Sequence, residues 1–152
     1  MKIPKSKLIR NSLKEQTIIV TGAGSGIGRA LSFELAKNNA DLILLSRDQE
    51  KLDSLQDDIK GKFGIEPLTV EFDFFKAKES EYNFLIENLI DNYTKIDGLV
   101  HVAGILGYLS PFTSTSLSQL ETVMKVNFES NFLLTKALIC LLYTSDAADD
   151  GV

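Results

Sequence analysis

The chain has 152 residues, 44% of them hydrophobic and 24% charged, the arithmetic of one globular domain; a disordered tract and a collagen-like fibre are excluded. Its 16 basic and 21 acidic side chains leave a net charge of -5, the wrong sign for neutralising nucleic-acid phosphates. No apolar run reaches the roughly 18 residues of a membrane span, and the cationic opening has no apolar signal core, so a cytoplasmic protein without membrane or nucleic-acid partners is expected. Cys140 and His101 stand alone of their kinds, which supplies neither an internal disulfide nor a zinc-type ligand spacing, and no metal site is expected.

Thr17-Ile18-Ile19-Val20 is a β-branched run that stops at a glycine cluster, the mark of a first strand. Ile27, Ala30, Leu31 and Leu35 then recur at helical spacing up to Lys37, and Asn38-Asn39 closes the helix. Leu42-Ile43-Leu44-Leu45 is a continuous apolar run, as in a strand buried on both faces of a parallel sheet. Asp48 to Lys60 places Leu52, Leu55 and Ile59 on one helical face, with Gly61 and Gly64 expected to break it. Leu68, Val70 and Phe72 alternate with Thr69 and Glu71 as a third strand. A helix from Glu79 to Tyr93 follows, with Tyr82, Leu85, Ile86, Leu89, Ile90 and Tyr93 as its apolar stripe, and Leu99 to Val102 is a fourth strand. After a loop over 103–115, Ser116 and Gln119 have the spacing of a capping box, so a last helix starts near Leu117. Strand and helix alternate throughout, which predicts an α/β, doubly wound parallel sheet of Rossmann type.

Thr21-Gly22-Ala23-Gly24-Ser25-Gly26-Ile27-Gly28 lies between the first strand and the first helix. There Gly22 allows a tight turn, Gly26 lets backbone N–H groups approach a pyrophosphate, and Gly28 lets the helix lie close to the sheet. The helix N-terminus then offers unpaired N–H groups and a favourable dipole to the phosphates.

The spacing TGxxxGIG resembles the cofactor loop of the short-chain dehydrogenase/reductase family, classical type. Asp73 after the third strand, His101-Val102-Ala103-Gly104 as a counterpart of the family's NNAG motif, and Val126-Asn127 within the last helix extend the resemblance over residues 17 to about 139. The run HVAGILG from His101 is most similar to HNAGLLG in one bacterial subgroup. The resemblance implies an oxidoreductase that passes hydride between a nicotinamide cofactor and a small-molecule carbonyl or alcohol, in a protein that is a homo-oligomer. It implies cofactor contacts from Thr21, Gly22, Gly24, Ser25, Gly26, Ile27 and Gly28. Ser46 stands where NAD-dependent members carry a carboxylate and Arg47 follows it, which favours NADP over NAD, although Arg47 also reads as an ordinary surface cation. Asp41 precedes the second strand and belongs to the opposite edge of the sheet. Asp73 resembles the adenine-contacting acid, with Phe74 as a backbone donor beside it, and is equally a loop-entry Asp. Ala103 and Gly104 let the backbone pass close to the cofactor ribose. Val102 replaces an Asn whose amide pins neighbouring strands, while His101 reads as a structural residue at the strand end rather than a proton shuttle.

Asn127 matches the Asn of the family's Asn, Ser, Tyr, Lys tetrad, whose backbone carbonyl holds a proton-relaying water. The matching Ser and Tyr-x-x-x-Lys pair are expected beyond Val152. No lysine follows Lys136, so the proton donor is missing. The stretch is therefore expected to be a partial dinucleotide-binding domain over 17–139, with a lead-in over 1–16, strand order 3-2-1-4 and the later strands absent. In such a piece the fourth strand is an open edge, and Val123, Val126, Leu134 and Leu138 lose the sheet that covers them. Cys140 to Asp149, CLLYTSDAAD, resembles what a sequencing-library transposon adapter encodes in one reading frame, so 140–152 is expected to be a non-native tail. A natural acidic tail is the alternative, and the codons of the gene decide between the two. A non-catalytic nucleotide-binding or interaction module on the same fold is the alternative function.

Overall fold

The computed structural model describes residues 12–149, with side chains through Cys140; residues 1–11 of the expected lead-in and 150–152 of the expected tail lie outside the described residues. Four strands, β1 (Thr17–Thr21), β2 (Asp41–Ser46), β3 (Leu68–Glu71) and β4 (Gly98–Val100), form one parallel sheet in the order β3-β2-β1-β4. Ile18 lies opposite Leu42 in β2 and Gly98 in β4, while Ile43 of β2 lies opposite Leu68. Helices α1 (Gly26–Lys37), α2 (Gln49–Phe63) and α3 (Glu79–Asn92) make the crossovers.

Alternating side chains of β1 and β2 feed two cores. Ile18, Val20, Leu42 and Leu44 pack with Leu52, Leu55 and Ile59 of α2 on one face. On the other face Ile19, Ile43 and Leu45 pack with Tyr82, Leu85, Ile86 and Leu89 of α3. Strands buried on both sides have no polar face to display, which is why the second reads as an unbroken apolar run.

Four details differ from the sequence expectation. First, α2 runs through Gly61 to Phe63, because Gly61 faces open space while Phe63 packs edge-on against Phe33 at 6.1 Å between centroids. Gly64, at φ 71°, is the residue that ends it, its N–H donating to the Lys60 carbonyl at 2.9 Å. Second, β4 stops at Val100, because the N–H groups of Val102 and Ala103 turn to the Thr21 hydroxyl, each at 3.1 Å.

Third, the last helix is not continuous. The capping box forms at α4 (Leu117–Met124), where the Ser116 hydroxyl accepts from the Gln119 N–H at 3.3 Å and the Gln119 side chain accepts from the Ser116 N–H at 2.9 Å. A π-helical turn over Lys125–Glu129 then intervenes before α5 (Ser130–Asp149). Fourth, Val126, Leu134 and Leu138 are buried beside α3, so the open edge does not uncover them. The apolar side chains left exposed are on other faces, among them Leu117, Phe128 and Phe132, with Leu109 and Phe112 in the preceding loop. Among the described residues no helix is long and apolar enough to cross a membrane.

Asp97 ties the N-terminal ends of β1 and β4 together: one carboxylate oxygen accepts from the Thr17 N–H at 2.8 Å and the other from Lys95 Nζ at 3.0 Å. These bonds, the backbone one foremost, hold the carboxyl below its usual 3.8. A depressed value means the contribution is complete above 3.8 and is lost as pH falls through the folded-state value. Asp97→Asn is therefore expected to lower the thermal unfolding midpoint near neutral pH, and the gap from the wild type should close on acidification; a gap independent of pH contradicts this.

Candidate functional site

A cleft of about 690 Å³ opens at the C-terminal ends of the strands, between the turn after β1, the start of α2, the turn after β3 and the loop after β4. This is where an open α/β sheet divides its crossovers between two faces, and α1 and α2 lie on one side of β1 with α3 on the other.

The turn after β1 is built by close approach. Gly22 has φ 67°, and a β-carbon there would meet the Ala103 nitrogen at 2.7 Å. Gly28 also has no room for a side chain, but its neighbour is the Gly22 carbonyl oxygen rather than the sheet at large. Gly24 is packed over the end of β2, where a β-carbon would lie 2.9 Å from Ser46 Oγ. Gly26, at φ 52°, faces open space in the cleft wall. Beneath them Thr21 is fully buried, and its hydroxyl accepts from the Val102 and Ala103 N–H groups while donating to the Val100 carbonyl at 3.5 Å. That single hydroxyl pins β1 to the chain leaving β4, at the position where Val102 offers no polar side chain and instead packs on the α1/α2 core.

Helix α1 presents its N-terminus to the cleft without compensation. Its N-cap, Ser25, makes no side-chain hydrogen bond, the first turn has no acidic residue, and Ser25, Gly26 and Ile27 all line the cleft. Free N–H groups and the helix dipole there favour an anion. The charged side chains of the lining agree: Arg47, Lys51 and Lys76 against Asp48 and Asp73, a positive balance in a chain of net charge -5. Both acids are occupied. Asp48 caps α2, accepting from the Lys51 N–H at 3.1 Å, and its other oxygen lies 2.9 Å from Lys51 Nζ; the Lys51 contacts hold its carboxyl below the usual value. Asp73 accepts from the Phe75 and Lys76 N–H groups at 3.0 and 3.3 Å, which closes the turn after β3.

The cleft brings together Gly22, Ser25, Gly26, Ile27, Ser46, Arg47, Asp73, Phe74, Ala103 and Gly104 from the sequence reading. Thr21, Gly24, Gly28 and Asn127 stand outside the lining and act on the loops that form it. Asn127 clasps the loop after β4, its side chain accepting from the Ile105 N–H at 2.8 Å and donating to the Ile105 carbonyl at 2.9 Å. Its own carbonyl accepts from Asn131 Nδ2 at 3.0 Å. The π-helical turn that carries it is the kind of insertion that re-aims helix side chains at functional positions. Sequence reasoning missed Asp48, Lys51, Phe75, Lys76, Ile105 and Thr122 in the lining; for the two lysines the signal is their place three residues after Asp48 and Asp73. His101 bonds the α5 residue Thr135 at 2.9 Å, and burial lowers its pKa below 6.5. Asp41 pairs with Thr17 at the far end of the strands from the cleft. Among the described residues no group of three His, Cys, Asp or Glu side chains could hold a metal ion.

Residues 16–149 match the short chain dehydrogenase family. The uncharacterized oxidoreductase YciK of Escherichia coli strain K12 is 36% identical over 135 residues, which cover 89% of this chain and 54% of that protein. A short chain dehydrogenase of Shigella flexneri superposes with a TM-score of 0.84 at 33% identity, over 88% of this chain and 52% of the other. A second Shigella flexneri structure, complexed with NADP, gives a TM-score of 0.84 at 33% identity over 88% and 56%. The chain thus spans about half the length of these proteins.

Thr21→Val keeps the shape and removes the acceptor for two part-buried N–H groups. A loss of about 1–3 kcal/mol is expected in urea unfolding, with Thr21→Ser close to wild type; equal stability of the valine variant contradicts the pinning role.

Proposed function

The chain belongs to the short chain dehydrogenase family, and from that membership we propose that it is the cofactor-binding half of an NADP-dependent oxidoreductase acting on a carbonyl or alcohol. The observation that carries the reading is the uncapped N-terminus of α1 beside a glycine turn, in a cleft whose lining cations outnumber its acids. The residues present fit a dinucleotide. Gly22, Gly24 and Gly28 leave no space where side chains would stand, so the turn is compact, and Gly26 leaves the wall of the cleft open. In this reading the Ser25, Gly26 and Ile27 backbone holds the diphosphate, Ser46 and Arg47 receive the 2′-phosphate, Asp73 and the Phe74 backbone meet the adenine, and Ala103 and Gly104 run along the ribose. The NADP complex of the Shigella flexneri relative supports the choice of cofactor.

When bound, nicotinamide supplies or accepts the hydride at its C4. The chain's own residues bind and orient. Thr21 and Asn127 fix the two loops between which the cofactor would lie, and in this reading the Asn127 carbonyl, which accepts from Asn131 Nδ2, also holds the relay water. None of the four tyrosines is followed four residues on by a lysine, so the reading assigns proton donation to a part of the complete protein outside this stretch. Binding without turnover is what these residues carry by themselves. Titration of the complete protein with both cofactors is expected to give NADP tighter than NAD by at least about tenfold, the worth of a charge-assisted contact to the extra phosphate; equal or tighter binding of NAD overturns the cofactor assignment.

A further inference from the structure

Asp48 lies two residues beyond the end of β2 and lines the cleft. A carboxylate in that region accepts from the hydroxyls of an unphosphorylated adenosine ribose and repels a 2′-phosphate. Here its oxygens are divided between two uses. Oδ1 caps α2 through the Lys51 N–H at 3.1 Å, and Oδ2 faces the Lys51 ammonium at 2.9 Å. Lys51 is held in place from the other side as well: its β-carbon would lie 3.2 Å from a β-carbon at Gly24, so its stem packs under the glycine turn. Arg47 adds a second cation next in sequence to Asp48, also in the lining.

On the reading above, that the cleft holds a nicotinamide dinucleotide, we propose that Lys51 is a specificity-determining residue that masks the Asp48 carboxylate and presents its ammonium to the 2′-phosphate. Preference for NADP then rests on the Asp48–Lys51 pair together with Arg47. Without the ammonium, Oδ2 of Asp48 loses its lysine partner, the 2′-phosphate faces a bared carboxylate with Arg47 as its remaining neighbouring cation, and the ribose hydroxyls of NAD gain an acceptor.

The test is calorimetric titration of the complete protein with NADP and with NAD, for the wild type, Lys51→Gln, Asp48→Asn and the double variant. Asn is as good an N-cap as Asp, so α2 keeps its start in each case. Lys51→Gln should lose about tenfold or more in NADP affinity and bind NAD as well as or better than the wild type. Asp48→Asn should keep the preference for NADP, and the double variant should regain the part of the NADP affinity lost in Lys51→Gln that is owed to the bared carboxylate. Equal effects of Lys51→Gln on both cofactors, or a double variant no better than Lys51→Gln, refute the role of Lys51. A wild type that prefers NAD refutes the cofactor assignment itself, so the two failures are told apart.

Discussion

Everything at the cleft depends on how closely the turn after β1 passes the chain leaving β4. Gly22 approaches Ala103 so nearly that a β-carbon would sit 2.7 Å from its nitrogen, and the same Ala103 N–H bonds the Thr21 hydroxyl at 3.1 Å. Steric room and a hydrogen-bond acceptor are needed at adjacent positions, and Thr21-Gly22 supplies both. With this contact made, α1 begins directly at the cleft mouth, and Gly28 can approach the Gly22 carbonyl because it too lacks a side chain. Strand ends, glycine turn and helix N-terminus are thereby held together, with Ser25, Gly26 and Ile27 in the lining of the cleft.

Electrostatics follow from the same local order. A chain with an excess of acids still offers an anion a favourable place, because the cleft's two acids are used up as turn and helix caps, each beside the lysine three residues on. Asp48 pairs with Lys51 at 2.9 Å and Asp73 with Lys76 at 3.5 Å. Pairs this exposed contribute little to stability. Their effect is on what the site presents to a ligand, and Arg47, next in sequence to Asp48, adds a further cation to the cleft lining.

The fold was legible in the sequence because its signals are local and mutually consistent: β-branched runs, a glycine cluster at a strand end, helical stripes, and the Ser116–Gln119 box, which forms as its spacing implies. What escaped is set by partners distant in the chain. Gly61 stays helical because Phe63 has Phe33 to pack on, and β4 is short because the N–H groups of Val102 and Ala103 bond a hydroxyl some 80 residues away. The π-helical turn at Asn127 goes with a side-chain clasp on Ile105 across a long loop, which no periodicity within the helix announces. In the cleft lining, Gly22 and Gly26 were legible from the glycine motif between strand and helix, and Ser46, Arg47 and Asp73 through the resemblance to the family. Lys51 and Lys76 were missed, since a lysine on a helix or turn reads as solvated surface, and their place three residues after Asp48 and Asp73 gains meaning only once the opposing wall is in view.

The central claim is that backbone N–H groups at the start of α1 grip an anionic diphosphate. Amide proton–nitrogen correlation spectra of the complete protein during titration with NADP report on those groups one by one. Large shifts at Ser25, Gly26 and Ile27 that saturate with the cofactor are the predicted result; amides there that stay in place while NADP binds elsewhere would contradict the account.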